Sequence, residues 1–224
     1  MSIATKWARI EATDVSPFTA EQLEGLNTLY SAALREIRSK LDNLCLDIQI
    51  GGRESIQYIS QRIKSLDSIL GKLRRLGLPE NYETIRSTLK DIAGIRIVCD
   101  YISDIYDIAD ALLRQDGIRL VQEKDYIAAP KPNGYRSLHM IVATPVLYDN
   151  QTQLIPVELQ FRTLAMDCWA SLEHQLRYKA GRSLPTKLSH DLTTIAGRLH
   201  EADVEMQRIH NAVVNMDASD RPIH

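Results

Sequence analysis

The chain has 224 residues and a mass of 25.4 kDa, with 44% hydrophobic and 25% charged residues. This composition predicts one folded domain, or one domain with helical flanks, and excludes a disordered chain. The formal net charge of −2 argues against a protein that binds nucleic acids or membranes unspecifically. A site for anions would therefore have to come from local clusters of cations.

The cysteines and the hydropathy indicate the compartment. Cys45, Cys99 and Cys168 are scattered without a C-x-x-C spacing, so we expect reduced thiols and no zinc site. The N-terminus lacks the apolar region of a signal peptide, and no apolar run approaches the ~20 residues of a membrane span. We therefore expect a cytoplasmic protein that does not contact membranes.

The first regular element is a predicted amphipathic helix over 20–45. Thr19 and Gln22 have the spacing of a capping box, and apolar residues then recur at steps of three and four from Leu23 to Leu44. Gly51-Gly52 is expected to end this segment.

A cluster of cations follows within 62–75. Residues 55–64 predict a strand with Arg62 and Lys64 on one face, and 66–76 predict a helix. The segment contains five cations, Arg62, Lys64, Lys72, Arg74 and Arg75, and also Ser68. A solvated helix face explains Arg74 and Arg75 equally well. The strand cations need a partner, and a triphosphate would be suitable.

Residues 94–100 predict a buried strand. Asp91 and Arg96 have opposite parity, so we expect Asp91 just before the strand, with Gly94 absorbing a bend. Asp104 is expected to cap a helix that stops at Asp116-Gly117, and a strand follows over 118–123.

The stretch 125–139 predicts an ordered loop, because Pro130, Pro132 and Gly134 fit neither a helix nor a central strand. It concentrates cations, an amide and an aromatic ring that could hold a nucleotide, with Tyr135 stacking on a base. A polar surface loop is the alternative. The loop residues that could hold a nucleotide are Lys131, Asn133, Tyr135, Arg136, Ser137 and His139.

Two strands follow the loop, over 138–144 and 153–162, with a turn at Asp149-Asn150. In the second strand the apolar residues at 157, 159 and 161 alternate with Glu158, Gln160 and Arg162, which is typical of a half-buried strand. A row of solvent-exposed polar residues is the alternative. A helix is predicted over 164–179.

The last predicted helix, over 186–216, has apolar residues at steps of four and three from Leu188 to Met216. This heptad seam requires a second helix. The partner is either the 20–45 helix or another copy of the chain.

Together these elements predict an α/β (α+β) fold with a mixed five-stranded sheet flanked by helices. We expect an N-terminal helical arm over 1–50, a central domain over 51–182 and a C-terminal helical arm over 183–224.

Two motifs carry a family resemblance. K-P-N-G-Y-R-S-L-H at 131–139 and V-E-L-Q-F-R-T at 157–163 resemble the synthetase domain of the RelA/SpoT family, over roughly 55–180. These enzymes transfer pyrophosphate from ATP to the 3′-hydroxyl of GDP or GTP and so make the stringent-response alarmones ppGpp and pppGpp. The resemblance implies a nucleotidyltransferase-like fold and a small stand-alone synthetase without hydrolase activity.

The resemblance also implies roles for individual residues. Asp91 and Glu158 would be catalytic and would bind Mg²⁺, with Glu158 also serving as general base. ATP would be bound by Arg62, Lys64, Ser68, Lys72 and Arg96. GDP or GTP would be bound by Lys131, Asn133, Tyr135, His139, Gln160 and Arg162.

The family further implies a homotetramer built through the helical arms. The preference between GDP and GTP stays open, because the charged motif at 122–125 lacks the usual leading arginine. Two other functions also stay open: a toxin-like relative that pyrophosphorylates the 3′ end of tRNA, and a catalytically silent nucleotide-binding or RNA-binding regulator. The residues do not indicate RNA as a partner.

Overall fold

A computed structural model of the chain describes residues 18–50, 55–180 and 184–219. The elements are α1 (Ala20–Ile50), β1 (Ile56–Ile63), α2 (Leu66–Leu76), α3 (Tyr82–Thr88), β2 (Ala93–Cys99), α4 (Ile102–Leu113), β3 (Arg119–Asp125), β4 (Leu138–Tyr148), β5 (Gln151–Thr163), α5 (Leu164–Ala180) and α6 (Thr186–Ser219). The strands form one five-stranded sheet in the order β1-β2-β5-β4-β3. Only the β2–β5 pair is parallel, so the predicted mixed sheet is confirmed.

The core lies on the apolar face of this sheet. Val157, Leu159 and Phe161 are fully buried there, in the same cluster as the apolar stripe of α1. The segment expected as an N-terminal arm thus shares its core with the sheet, and α1 continues five residues beyond the predicted end. The expected domain boundaries stay a prediction, and Gly51-Gly52 lie outside the described residues.

The other sheet face carries the polar side chains in aligned rows. Across β1, β2 and β5, Arg62 pairs with Gly94 and Gly94 with Glu158. In the next row Arg96 pairs with Gln160, and Gln160 pairs with His139 on β4. Because side chains two residues apart share a face, the register gathers polar groups from four strands on one surface.

Several boundaries differ from the sequence predictions. Asp104 is the third residue of α4 rather than its cap, and its carboxylate accepts a hydrogen bond from the N–H of Tyr101 over 3.2 Å. Gly94 absorbs no bend, because it lies inside the regular ladder of β2. Helix α3 was not predicted, since its seven residues are too few for a periodic pattern; Asn81 caps it by accepting from the N–H of Thr84.

The turn after β4 explains why β4 and β5 are longer than predicted. Asp149 and Asn150 have φ values of 49° and 57°, as the two central residues of a type I′ hairpin turn require. The ladder therefore continues to the pair Tyr148 and Gln151, next to the turn.

Helices α5 and α6 pack together beside the sheet, and the indole N–H of Trp169 donates to the carbonyl oxygen of Leu192 over 2.9 Å. The predicted seam of α6 is divided. Leu192 and Leu199 pack against Trp169, whereas Ile195, Met206 and other seam residues are exposed. Within the described ranges, no helix is both long and apolar enough to span a lipid bilayer.

Candidate active site

Two carboxylates from different elements meet in one cleft. Asp91 lies just before β2, as predicted, and Glu158 lies on the polar face of β5. Both line a cleft of about 460 Å³, together with Lys72, Lys131 and His139. The fold therefore brings the two predicted catalytic residues to the same place as members of both predicted nucleotide sites.

Only one of the two carboxylate oxygens of Asp91 has partners among the described residues. Lys64 Nζ and Lys72 Nζ lie 2.5 Å and 2.7 Å from Asp91 Oδ2. Burial would raise the pKa of Asp91, but the hydrogen bonds and charges of the two lysines outweigh it and hold this pKa below its ordinary value. Oδ1 is buried and has no hydrogen-bond partner among the described residues. An ionised carboxylate with one unused oxygen is suited to binding a cation.

Glu158 is also ionised, for similar reasons. Gln160 Nε2 donates to Glu158 Oε2 over 3.0 Å, and His139 Nδ1 lies 3.6 Å from Oε1, slightly beyond a hydrogen bond. Burial and the charge of Asp91 would raise the pKa of Glu158, but His139 and Gln160 keep it below its ordinary value.

These contacts close into a ring of polar groups. Arg162 Nη2 donates to the hydroxyl of Tyr135 over 2.8 Å and to Gln160 Oε1 over 2.9 Å. The Tyr135 hydroxyl lies 2.6 Å from His139 Nε2. Because arginine can only donate, the Tyr135 hydroxyl accepts the hydrogen bond from Arg162. His139 Nδ1 in turn faces Glu158, which closes the ring.

The loop is held by its own backbone and by two side chains. The N–H of Gly134 donates to the carbonyl of Lys131 over 2.8 Å, with Gly134 at a φ of 88°. Arg136 donates to the carbonyl oxygen of Ile127, and the buried hydroxyl of Ser137 donates to the carbonyl oxygen of Phe161. Of the loop residues expected to hold a nucleotide, Arg136 and Ser137 thus stabilise the loop itself.

The ring of Tyr135 is surrounded by cations. The ammonium of Lys131 lies 4.6 Å from the Tyr135 ring centroid and 4.4 Å from that of Tyr126, and the guanidinium of Arg162 lies 5.3 Å from the Tyr135 centroid. The amide of Asn133 donates to Glu173 and accepts from the N–H of Tyr135. A base that stacks on Tyr135 would have to displace one of these cations.

A second cleft adjoins the first at Glu158. It is lined by Arg62, Arg96 and Gln160, so the structure brings together the two arginines assigned to ATP. Gly94 lies between Arg62 and Glu158 in the ladder, and an added Cβ there would meet both side chains at 4.0 Å. Glu158 is the residue that lines both clefts.

The other three residues of the predicted cluster, Ser68, Arg74 and Arg75, are exposed on α2. The exposed Ser68 lies in the first turn of α2, with its hydroxyl 2.8 Å from that of Ser65. Arg74 is exposed and pairs with Glu80, and the exposed Arg75 donates to the carbonyl of Gly71. These two arginines belong to the solvated helix face that was the alternative explanation.

Sequence reasoning missed two residues of this region. The ring of Tyr126 contacts both Tyr135 and His139 edge-on. Its position at the start of the loop could have suggested it. Asp167, on α5, forms ion pairs with Arg96 and Arg162. No local motif indicates Asp167, because its partners lie on two strands.

Comparison with known proteins agrees with these motifs. A sequence model of the family described as "Region found in RelA / SpoT proteins" matches residues 61–183. The chain belongs to the RelA/SpoT family. Among curated members, it is 39% identical to the GTP pyrophosphokinase YwaC of Bacillus subtilis over 83% of this chain and 89% of that protein. It is 33% identical to the GTP pyrophosphokinase YjbM of the same organism, over 89% and 93%.

Solved structures of RelA/SpoT-family proteins have the same fold. Small alarmone synthetase 1 of Bacillus subtilis, bound to its product pppGpp, superposes with a TM-score of 0.80 at 34% identity, covering 86% of this chain and 98% of that one. A GTP pyrophosphokinase family protein from Streptococcus pneumoniae gives a TM-score of 0.80 at 33% identity, covering 92% and 100%.

Proposed function

We propose that this RelA/SpoT-family protein is a (p)ppGpp synthetase that transfers pyrophosphate from ATP to the 3′-hydroxyl of GDP or GTP. The observation that carries the proposal is the junction of two clefts at Glu158, one lined by two arginines and the other by Asp91 and the basic, aromatic loop. Two related Bacillus proteins of similar length are GTP pyrophosphokinases by name, and a synthetase of the same fold was crystallised with pppGpp and with AMPCPP. The tRNA-modifying and catalytically silent alternatives have no such support.

The two clefts suit two nucleotides with opposite tasks. Arg62 and Arg96 would hold the adenine of ATP, with Lys64, Lys72 and Ser68 near its phosphates. Tyr135 would stack on guanine, which would displace the Lys131 ammonium from the face of the ring. The displaced ammonium could then bind the phosphates of the acceptor nucleotide. Asn133, His139, Gln160 and Arg162 would orient this acceptor.

The carboxylates fit a magnesium ion. The described residues contain no group of three or more His, Cys, Asp or Glu that could hold a metal, so the ion would need phosphate and water oxygens besides Asp91 and Glu158. Mg²⁺ in nucleotide enzymes commonly has this kind of coordination, and the unused Oδ1 of Asp91 supports it. Bound there, Mg²⁺ would neutralise charge on the transferring phosphates.

The chain's own residues would then exchange partners. Lys64 and Lys72 now neutralise Asp91. When the triphosphate enters, their ammonium groups can turn to its oxygens, because lysine is a flexible point charge. Glu158, ionised and next to the cleft, would accept the proton of the 3′-hydroxyl. Its lowered pKa makes it a weak base, so we expect proton transfer late, when the forming bond to phosphorus has acidified the hydroxyl.

Transfer of label from ATP tests the function. The purified protein is incubated with Mg²⁺, ATP labelled on the γ-phosphate, and GDP, GTP or uncharged tRNA. We expect the label in a guanosine nucleotide with equimolar AMP, and no transfer when EDTA replaces Mg²⁺. Label in tRNA, or no label transferred to any acceptor, would contradict the proposal. The GDP and GTP rates settle the preference.

The proposed oligomeric state is the one that the family resemblance implies. We propose a homotetramer in which the exposed seam of α6 contacts another copy, because α1 already buries its own apolar stripe against the sheet. The three cysteines are free thiols, as a reducing cytoplasm would keep them.

A further inference from the structure

Asp167 uses both of its oxygens on partners from separate strands. It lies in the first turn of α5, and its side chain is only 8% exposed. Oδ1 accepts from Arg162 Nη1 over 2.7 Å and lies 3.2 Å from Arg96 Nη1. Oδ2 accepts from the hydroxyl of Tyr58 over 2.5 Å.

The two arginines lead to different clefts. Arg96, with 33% of its side chain exposed, lines the cleft with Arg62. Arg162, with 6% exposed, donates through Nη2 to the Tyr135 hydroxyl, which contacts His139 in the lining of the other cleft. Within the described part of the chain, Asp167 is the carboxylate at ion-pair distance from both arginines. Asp167 lines neither cleft. It contacts one of them through Arg96 and reaches the other through Arg162, the Tyr135 hydroxyl and His139.

We propose that Asp167 is a positioning residue that couples the donor and acceptor nucleotide sites through Arg96 and Arg162. The inference rests on the proposed function, which assigns Arg96 to ATP and Tyr135 to the guanosine nucleotide. A nucleotide that fixes Arg96 fixes its partner carboxylate, and this in turn holds Arg162 and the Tyr135 hydroxyl. Each nucleotide is then expected to bind more tightly in the presence of the other.

Electrostatics explains why one carboxylate can do this. Without Asp167, two like-charged guanidinium groups would face each other, one of them buried, and each would seek other partners. Burial raises the pKa of Asp167, but Tyr58, Arg162 and Arg96 together hold it below its ordinary value. The carboxylate thus remains charged at neutral pH and compensates both cations at once.

Calorimetry on two variants and a control measures the coupling directly. The affinity for AMPCPP, which cannot donate pyrophosphate, is measured with Mg²⁺ in the absence and presence of saturating GDP. For the unmodified protein we expect GDP to tighten AMPCPP binding roughly 5- to 150-fold, the usual range of coupling between sites. Asp167→Asn should bring this factor close to one, and Asp167→Glu, which keeps the charge, should recover part of it.

Asp100→Asn is the matched control. Asp100 accepts a hydrogen bond from Gln57 and has no ion pair with Arg96 or Arg162 in the structure. The same chemical change there should leave the coupling intact. In turnover, Asp167→Asn should raise the KM of both substrates by a larger factor than it lowers kcat.

The outcomes separate the two proposals. If the unmodified protein neither binds AMPCPP nor forms product, the proposed function fails. If it does both, but a folded Asp167→Asn variant keeps the wild-type coupling and both KM values, Asp167 is not a positioning residue. A lower melting temperature with unchanged coupling would likewise show a purely structural role and overturn the inference.

Discussion

Asp91, Glu158 and Asp167 are three partly or fully buried carboxylates whose pKa values all lie below the ordinary range. In each case burial opposes the charge, and neighbouring donors or cations overcome it. A carboxyl group with a lowered pKa in the folded state binds fewer protons than in the unfolded state. Its stabilising contribution is therefore complete above the unfolded pKa of about 4 and is lost as the pH falls towards the folded value.

This predicts how stability depends on acid. The free energy of unfolding should fall between about pH 5 and pH 3, and the slope should be shallower in Asp91→Asn, which no longer takes up a proton at this position. Urea unfolding at a series of pH values measures both slopes. Equal slopes would mean that the lysines do not lower the pKa of Asp91 in solution.

Glu158→Gln separates binding from chemistry. The amide keeps the shape of the side chain and loses its charge and basicity, so we expect nucleotide binding within a few-fold of wild type and a loss of nearly all turnover, of the order of 10²-fold or more for a lost general base. Calorimetry and the label-transfer assay give the two quantities. Near-normal turnover would exclude Glu158 as metal ligand and base.

Two variants of Tyr135 distinguish the ring from the hydroxyl. Tyr135→Ala should weaken the guanosine acceptor by ~1–3 kcal/mol, or roughly 5- to 150-fold, because it removes the stacking surface. Tyr135→Phe keeps the ring and loses only the contacts to Arg162 and His139, so acceptor affinity should change much less. Binding of GDP and of AMPCPP is compared in both. Equal losses for the two ligands would show that the loop has been assigned to the wrong nucleotide.

At the scale of elements, the loop over 125–139 packs against α6. A Cβ added at Gly134 would lie 2.5 Å from the Cβ of Ala196, and the hydroxyl of Thr193 donates to the carbonyl of Asn133 over 3.3 Å. Tyr135 itself packs with Trp169 and Ala196. The helix with the exposed apolar seam therefore also supports this loop.

Gly134→Ala should disturb both elements. The positive φ and the clash should lower the free energy of unfolding by about 1–3 kcal/mol and raise the KM of the acceptor more than that of ATP. Chemical denaturation and initial rates provide the measurements. Adding Ala196→Gly should recover only part of the loss, since it relieves the clash and not the backbone strain.

Gly71→Ala on α2 is the control for this substitution. An added Cβ there meets no atom within 4 Å, so the change should raise stability by about 0.5–1 kcal/mol. A Gly134→Ala variant as stable as this control would show that α6 does not pack on the loop in solution.

At the scale of the whole molecule, α6 has an apolar surface that none of the other described residues covers. Met206, Ile209, Val213 and Met216 are between 44% and 67% exposed and lie on one side of the helix. Leu199 does not belong to this surface, because it packs against Trp169 and its neighbours. Replacing Leu199 would therefore damage the loop support as well as the seam.

Assembly is tested with residues of the free surface. Light scattering should give about four times the chain mass of 25.4 kDa, and Met206→Asp with Val213→Asp should dissociate the oligomer by placing charge in an apolar contact. Asn211→Asp, which adds charge elsewhere on the same helix, should leave the mass unchanged. A mass of one chain for the unmodified protein would exclude the tetramer.

The sequence by itself determined which residues share a face and where chemistry concentrates. The alternation along 157–162, the helix over 66–76 and the turn residues at 149–150 were all readable, because side-chain periodicity and turn conformation are local properties. The family motifs at 131–139 and 157–163 likewise placed the candidate site, since they are contiguous in the chain.

Only the tertiary structure decided which of these residues meet. Asp91 receives Lys64 and Lys72, and Asp167 bridges Arg96 and Arg162, because strand order and register bring distant segments together. The division of the α6 seam into a packed side and a free side has the same origin. Partners of this kind depend on the packing of several elements at once, and no periodicity within one segment contains that information.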